Sequence, residues 1–256
     1  MNRALPIPPR CLLFLDRLVV LLDQTTECQA PARVVRHCAI EPQNKVELNL
    51  KPVMRTRGRV LNYNLIIVII NIAIFFLVYL SPGILEYLAI SARGLFLRKF
   101  IWTPITYMFT HNGFMHIIFN MIVLISIGHH VERRLGSGEY LAYYLICGAL
   151  AGIFSVIAYM SRASFTPIVG ASGAIYAVLL AYAILEPRAV LLIFGLIPMR
   201  APILLAVFAA IDLFSHVFQF GANAAHLTHL SGLAFGLLYF SIRLKINPIK
   251  AMRNWR

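Results

Sequence analysis

Apolar residues run along this chain in blocks that can be weighed against the ~20 residues a helix needs to cross a bilayer. Six qualify. The first is about 62–80 (LNYNLIIVIINIAIFFLVYL), closed by the Ser81-Pro82-Gly83 breaker. The others are about 113–129, 139–160, 171–186, 201–219 and 225–243, the fourth being short and opened by the small residues GASGA. Two connections break the pattern. Residues 84–110 are rich in Leu, Phe, Tyr and Trp but carry Arg93, Arg98 and Lys99, which predicts a segment lying in the interface with its aromatic rings at headgroup depth. Residues 189–199 are apolar but too short to span and interrupted by Pro198. They extend the fourth or fifth span or fold back, and the pattern does not decide between these.

Composition sharpens this into a membrane protein. Of the 256 residues, 60% are hydrophobic and 13% charged, whereas soluble domains hold about 25% charged residues. Only 18 of the 33 charged residues lie beyond position 62. The fold class expected is therefore all-α, a polytopic bundle of six transmembrane helices. The net charge of +13 raises nucleic acid as a partner. The basic groups flank apolar runs, however, and form no aromatic-interleaved patch, so no nucleic-acid partner is expected. Cys11, Cys28, Cys38 and Cys147 include no CxxC pair and indicate neither disulfides nor a zinc site.

Loop charges set the expected orientation. With the amino terminus inside, nineteen of the 23 Lys and Arg residues fall on the inner side and four (Arg93, Arg98, Lys99, Arg162) on the outer. This predicts a multi-pass protein, of the cell membrane, with both termini cytosolic. The organisation expected is a cytosolic tail over residues 1–60, a six-span domain over 61–245 and a basic cytosolic tail over 246–256. Within the first tail, CLLFLDRLVVLL (11–22) is interrupted by Asp16 and Arg17 and reads as an amphipathic surface helix better than as a signal-peptide core. Met54 is an alternative start that would make the first 53 residues dispensable.

Polar groups inside spans are functional-site candidates by default. Here they gather as His111, His116 and Asn120 around the second span, Ser172 in GASG, and His226 and His229 in the sixth, with Asp212 apart in the fifth. Taken alone, Ser172 suits small-residue helix packing. GxSG also marks the nucleophile elbow of soluble hydrolases, but that motif needs a strand–turn–helix setting. Gly232 and Gly236 form a G-x-x-x-G pair that admits a close neighbour. At 100° per residue His229 lies within about 60° of both glycines, while His226 lies about 80° and about 120° from them. His229 is thus the imidazole that can meet Ser172, as a base meets a nucleophile, or it merely bonds a neighbouring helix. His116 and Asn120, at i and i+4, share a helix face and offer N–H donors suited to an oxyanion. A metal fits less well, because H-x-x-x-N lacks the Glu of H-E-x-x-H and has no acidic or thiol ligand beside it.

Together, Trp102, HNGFMHIIFN (111–120), VERRLGSG (131–138), GASGAIY (170–176) and AHLTHLSGLAFG (225–236) resemble the rhomboid intramembrane serine proteases over roughly residues 62–243. The resemblance implies a six-span protease domain in which Ser172 is the nucleophile and His229 the general base, a dyad without an acid. It implies an oxyanion hole of His116, Asn120 and the Ser172 N–H, and places Tyr176 on the His229 ring. Gly170, Gly173, Gly232 and Gly236 are supporting positions, His111 orders the first loop, and Glu132 and Arg134 match a structural Glu-x-Arg element. It also implies cleavage of transmembrane protein substrates near the outer face, contact with membrane lipid, and no cofactor or metal. Thr103 stands where an arginine often follows the loop tryptophan, and residues 1–60 match nothing in the family. Asp212, 17 residues before His229, is expected in a structural hydrogen bond near the outer end of the fifth span.

Three rivals are weighed against this reading. A catalytically dead relative would lack Ser172 or His229. A transporter would spread polar groups along a pathway, often within a repeat. A mitochondrial relative would carry an acid-poor leader, unlike a tail with Asp16 and Asp23, and a further span.

Overall fold

The computed structural model describes residues 61–160, 167–193, 196–219 and 223–253. The surface helix expected at 11–22, the alternative start at Met54 and three of the four cysteines lie outside these residues. The described chain is a helical membrane bundle. Its main helices are α1 (Tyr63–Leu80), α2 (Phe114–Leu135), α3 (Ser137–Met160), α4 (Ser172–Leu185), α5 (Ala201–Val217) and α6 (Asn223–Ile242). α1, α2, α3 and most of α6 are long and apolar enough to cross a membrane, while α4 and α5 are shorter apolar helices.

α1 is built inside out relative to a soluble helix. Leu65, Ile66, Ile69, Ile70, Phe76 and Leu77 are exposed, whereas its two asparagines within the span, Asn64 and Asn71, are buried. Lipid is the solvent that accepts the first set; Asn64 is satisfied by neighbouring helices, and the Asn71 amide donates to the Ile67 carbonyl of its own helix (2.7 Å). The Asn64 amide donates to the Leu124 carbonyl (2.9 Å), and the Tyr140 hydroxyl donates to Asn64 Oδ1 (2.7 Å). That carbonyl belongs to a π-helical turn, Leu124–Gly128, inside α2. A Cβ at Gly128 would run into the Asn64 side chain, so the glycine lets α1 close onto the widened turn.

α2 continues about six residues past the span expected from sequence. The run HHVERRL reads as a membrane exit, but Glu132 is fully buried and acts as a cap. Its carboxylate accepts from the Tyr63 and Asn64 backbone N–H groups (2.9 and 3.0 Å) and from the Ser137 hydroxyl (2.7 Å). These are N–H groups a helix start leaves without partners, and negative charge suits the positive end of the helix dipole. Two residues on, Arg134 donates to the Leu185 carbonyl (3.1 Å) and pairs with Glu186 (2.9 Å), closing the C-terminus of α4.

α4 is the central helix. Every residue of it except Ser172 and Tyr176 is buried, as expected of a helix that is apolar all round. Its neighbours approach through glycines: a Cβ at Gly148 of α3 would strike Met108 and Ala174, and one at Gly232 of α6 would strike the Gly173 carbonyl. Between α4 and α5 the undecided segment folds back. β1 (Val190–Ile193) pairs antiparallel with β2 (Ile197–Arg200), Val190 opposite Arg200 and Leu192 opposite Pro198. A two-stranded ribbon has only edges, which is where a strand proline is tolerated. This hairpin departs from a purely helical chain.

Residues 85–109 form short helical turns, in keeping with a segment too broken to span. They are tied down by Trp102 Nε1 donating to the Tyr87 carbonyl (2.8 Å) and Thr106 Oγ1 to the Leu88 carbonyl (2.8 Å). Ile90 and Ile168 exchange backbone hydrogen bonds (3.1 and 2.8 Å), which anchors the chain entering α4.

Candidate active site

The approach to α4 is fixed one residue at a time. After the Ile90–Ile168 bridge, the Gly170 N–H donates to the Tyr107 carbonyl (3.0 Å). Gly170 has φ +120°, a conformation only glycine adopts without strain, and a Cβ there would meet the His116 ring. The turn at Ala171 then makes Ser172 the first residue of α4. Its Oγ lies 2.8 Å from His229 Nε2 on α6. That register follows from the glycine face of α6, where Gly232 sits on the Gly173 backbone and Gly236 against Tyr143, Leu180 and Ala177.

The Tyr176 ring, one turn along α4, stacks on the His229 imidazole with centroids 4.5 Å apart and planes 11° from parallel. Behind that pair lies Asp212 of α5, only 4% exposed. Its two carboxylate oxygens are each 3.2 Å from His229 Nδ1. The Tyr176 hydroxyl donates to Oδ2, and His226 Nδ1 is 2.6 Å from Oδ1. Asp212 is thus in a hydrogen bond as expected, but its partners are the residues around Ser172. His226, off the glycine face of α6, turns to the same carboxylate.

His116 and Asn120 project from α2. The His116 ring lies against Gly170 and meets His111 edge to face at 4.9 Å. Asn120 is buried, and its side-chain N–H group has no acceptor among the described residues. His111, before the start of α2, is held neutral: burial first and the neighbouring His116 second push its pKa down from 6.5 to about 3. The unfolded chain binds a proton that the folded chain refuses, so this histidine lowers stability as pH falls below 6.5 toward 3.

A family model described as the Rhomboid domain matches residues 98–246, more than half of the chain and all but α1 of the six main helices. The chain belongs to the rhomboid family. It is 30% identical over 191 residues to Rhomboid protease GlpG of Pectobacterium atrosepticum, covering 71% of this chain and 63% of that one. It is 32% identical over 119 residues to Rhomboid protease GluP of Bacillus subtilis (44% and 22% covered). It is also 35% identical over 147 residues to RHOMBOID-like protein 12, mitochondrial, of Arabidopsis thaliana (52% and 43% covered). The chain therefore spans between about a fifth and two thirds of these relatives' lengths. With its long apolar helices, this rhomboid is a multi-pass membrane protein.

Asp212, His226 and His229 each bring one ligand atom within 4.8 Å of the others, a donor set that zinc would accept. Bound at ~2.0–2.1 Å in a tetrahedron, such atoms stand roughly 3.3 Å apart. At 2.6 Å, His226 Nδ1 and Asp212 Oδ1 are at hydrogen-bond distance, too close to flank an ion. The geometry fits a carboxylate receiving three donors. The sequence did mark Asp212, as an acid inside a span, but its contacts to α4 and α6 depend on how α5 packs, which spacing alone does not reveal.

Proposed function

We propose that this chain is an intramembrane serine endopeptidase that cleaves transmembrane segments of other proteins through an acyl-enzyme. The observation that supports this most is the 2.8 Å contact of Ser172 Oγ with His229 Nε2 at the head of the central helix. Ser172 attacks the scissile carbonyl while His229 Nε2 takes the hydroxyl proton. The negative charge that grows on the carbonyl oxygen meets the Ser172 backbone N–H at the positive end of α4, with His116 and Asn120 as further donors. Collapse expels the amine, which leaves with the proton from Nε2. Water, deprotonated by the same nitrogen, then frees the acyl group and restores Ser172. The names of the relatives, Rhomboid protease GlpG and GluP, agree with proteolysis.

A fluorophosphonate probe tests this on the detergent-purified chain. The expected result is one covalent adduct, mapped to Ser172; an unlabelled chain, or an adduct elsewhere, overturns the reading. Asn120→Ala should lower the cleavage rate by ~10²–10³, the usual cost of one oxyanion donor, and chelators should leave the parent enzyme unchanged. Inhibition by a chelator that zinc reverses would replace the oxyanion role with a metal.

The protease domain on this reading is residues 61–245, with cytosolic tails at 1–60 and 246–256 in a cell membrane and the cut near the outer face. A cysteine placed within 162–168 should react with an impermeant maleimide on intact cells, and one beside Lys250 should not. The opposite labelling pattern would invert the orientation. Substrate segments with small or helix-breaking residues suit the site, because a peptide must leave helical form to present a carbonyl to Ser172.

A further inference from the structure

The family resemblance implies a dyad without an acid, yet a buried carboxylate stands behind the base. Resting on the serine-protease reading above, we propose that Asp212 is a positioning residue that acts through His229, so that the site works as a Ser172–His229–Asp212 triad.

A carboxylate can only accept hydrogen bonds. The oxygens of Asp212, both 3.2 Å from His229 Nδ1, therefore require that Nδ1 carry the proton of the neutral ring. Nε2 is then left with its lone pair, and it is Nε2 that lies 2.8 Å from Ser172 Oγ. The other tautomer would point an N–H at the serine and could not receive its proton. Once Nε2 takes that proton, the ring is cationic and the same carboxylate faces it in a low-dielectric setting, while the Nδ1 proton stays where it was.

The acid is itself positioned. The Tyr176 hydroxyl donates to Oδ2, so the ring that stacks on His229 also tethers the carboxylate behind it. His226 Nδ1 holds Oδ1 at 2.6 Å. Three helices thus converge on one carboxylate: α4 through Tyr176, α6 through both histidines, and α5 through Asp212 itself. A brace between helices would need only these bonds. A tautomer lock also needs the group facing Nδ1 to be an acceptor, and the two roles separate there.

Asp212→Asn is the test, because the amide keeps the shape and can still bridge the helices while presenting N–H to Nδ1. Cleavage of a model transmembrane substrate should lose at least about a hundredfold in kcat, with KM within about twofold. The acid-to-amide change in a soluble serine-protease triad costs about 10⁴. Fluorophosphonate labelling of Ser172 should slow in parallel at an unchanged melting temperature, and Asp212→Glu should recover part of the loss. A folded Asp212→Asn chain that keeps more than a tenth of kcat would make Asp212 a brace and overturn the proposal. Ser172→Ala separates the two readings. If that variant is silent while Asp212→Asn is active, only the triad fails; if it still cleaves, the serine mechanism fails as well. A measurement on the unmutated chain does not depend on how the variants fold. For the neutral ring of His229, the ¹⁵N resonances should report a protonated Nδ1 and a bare Nε2, and the opposite tautomer would overturn the proposal.

Discussion

Replacing His229 with alanine should abolish fluorophosphonate labelling of Ser172 and cleavage of a transmembrane substrate, while His226→Ala keeps a substantial fraction of both. The two imidazoles are three residues apart on α6, and both face Asp212 through Nδ1. Only His229 also faces Ser172, at 2.8 Å through Nε2. Without it no base stands beside the hydroxyl, and an unactivated serine is a weak nucleophile. Removing His226 takes one of three donors from the carboxylate, leaving the Tyr176 hydroxyl and the His229 contact. Labelling rates of the two purified variants decide the matter. Survival in His229→Ala with loss in His226→Ala would move the base to His226.

Ser172→Ala should likewise lose cleavage, since it removes the atom proposed to form the acyl bond. The alanine fits the same space at the head of α4, so expression and melting should stay close to those of the parent chain. Cleavage of a model substrate should fall to the background of the membrane preparation. Activity above a tenth of the parent rate would place the nucleophile elsewhere. The comparison is clean because Ser172 is only partly buried and its Oγ contact is to His229 rather than to backbone that shapes the fold.

The helices were legible because a span must be apolar over a set length, and the ends of α1, α3 and α4 fall within a few residues of their expected positions. The C-terminal end of α2 was not. A carboxylate among basic residues reads as an exit from the membrane, and only the arrival of α1 makes Glu132 a buried cap. The 189–199 segment was ambiguous for a related reason: eleven apolar residues suit a helix end or a strand pair, and the cross-strand partners decide. In the site, the meeting of Ser172 and His229 could be argued from the glycine face of α6, because helical geometry is regular. Asp212 could not be placed that way. Its neighbours lie 36 residues away at Tyr176 and 14 and 17 away at the histidines, on two other helices.

The contact of Gly232 with the Gly173 carbonyl sets how these helices can move. Backbone rests on backbone there, with no side chain between to flex, so the spacing of α4 and α6 is a hard stop rather than a spring. Sliding α6 away from Ser172 by one turn would carry His229 about 5.4 Å along the axis, which takes Nε2 out of hydrogen-bonding reach of Ser172. The proposed nucleophile and base sit on separate helices, so on that reading neither is competent until those helices mesh. On the same reading, a nascent chain still threading into the bilayer would not cleave its neighbours. A lipid tail or detergent wedged between α4 and α6 would part Ser172 from His229 with every helix intact.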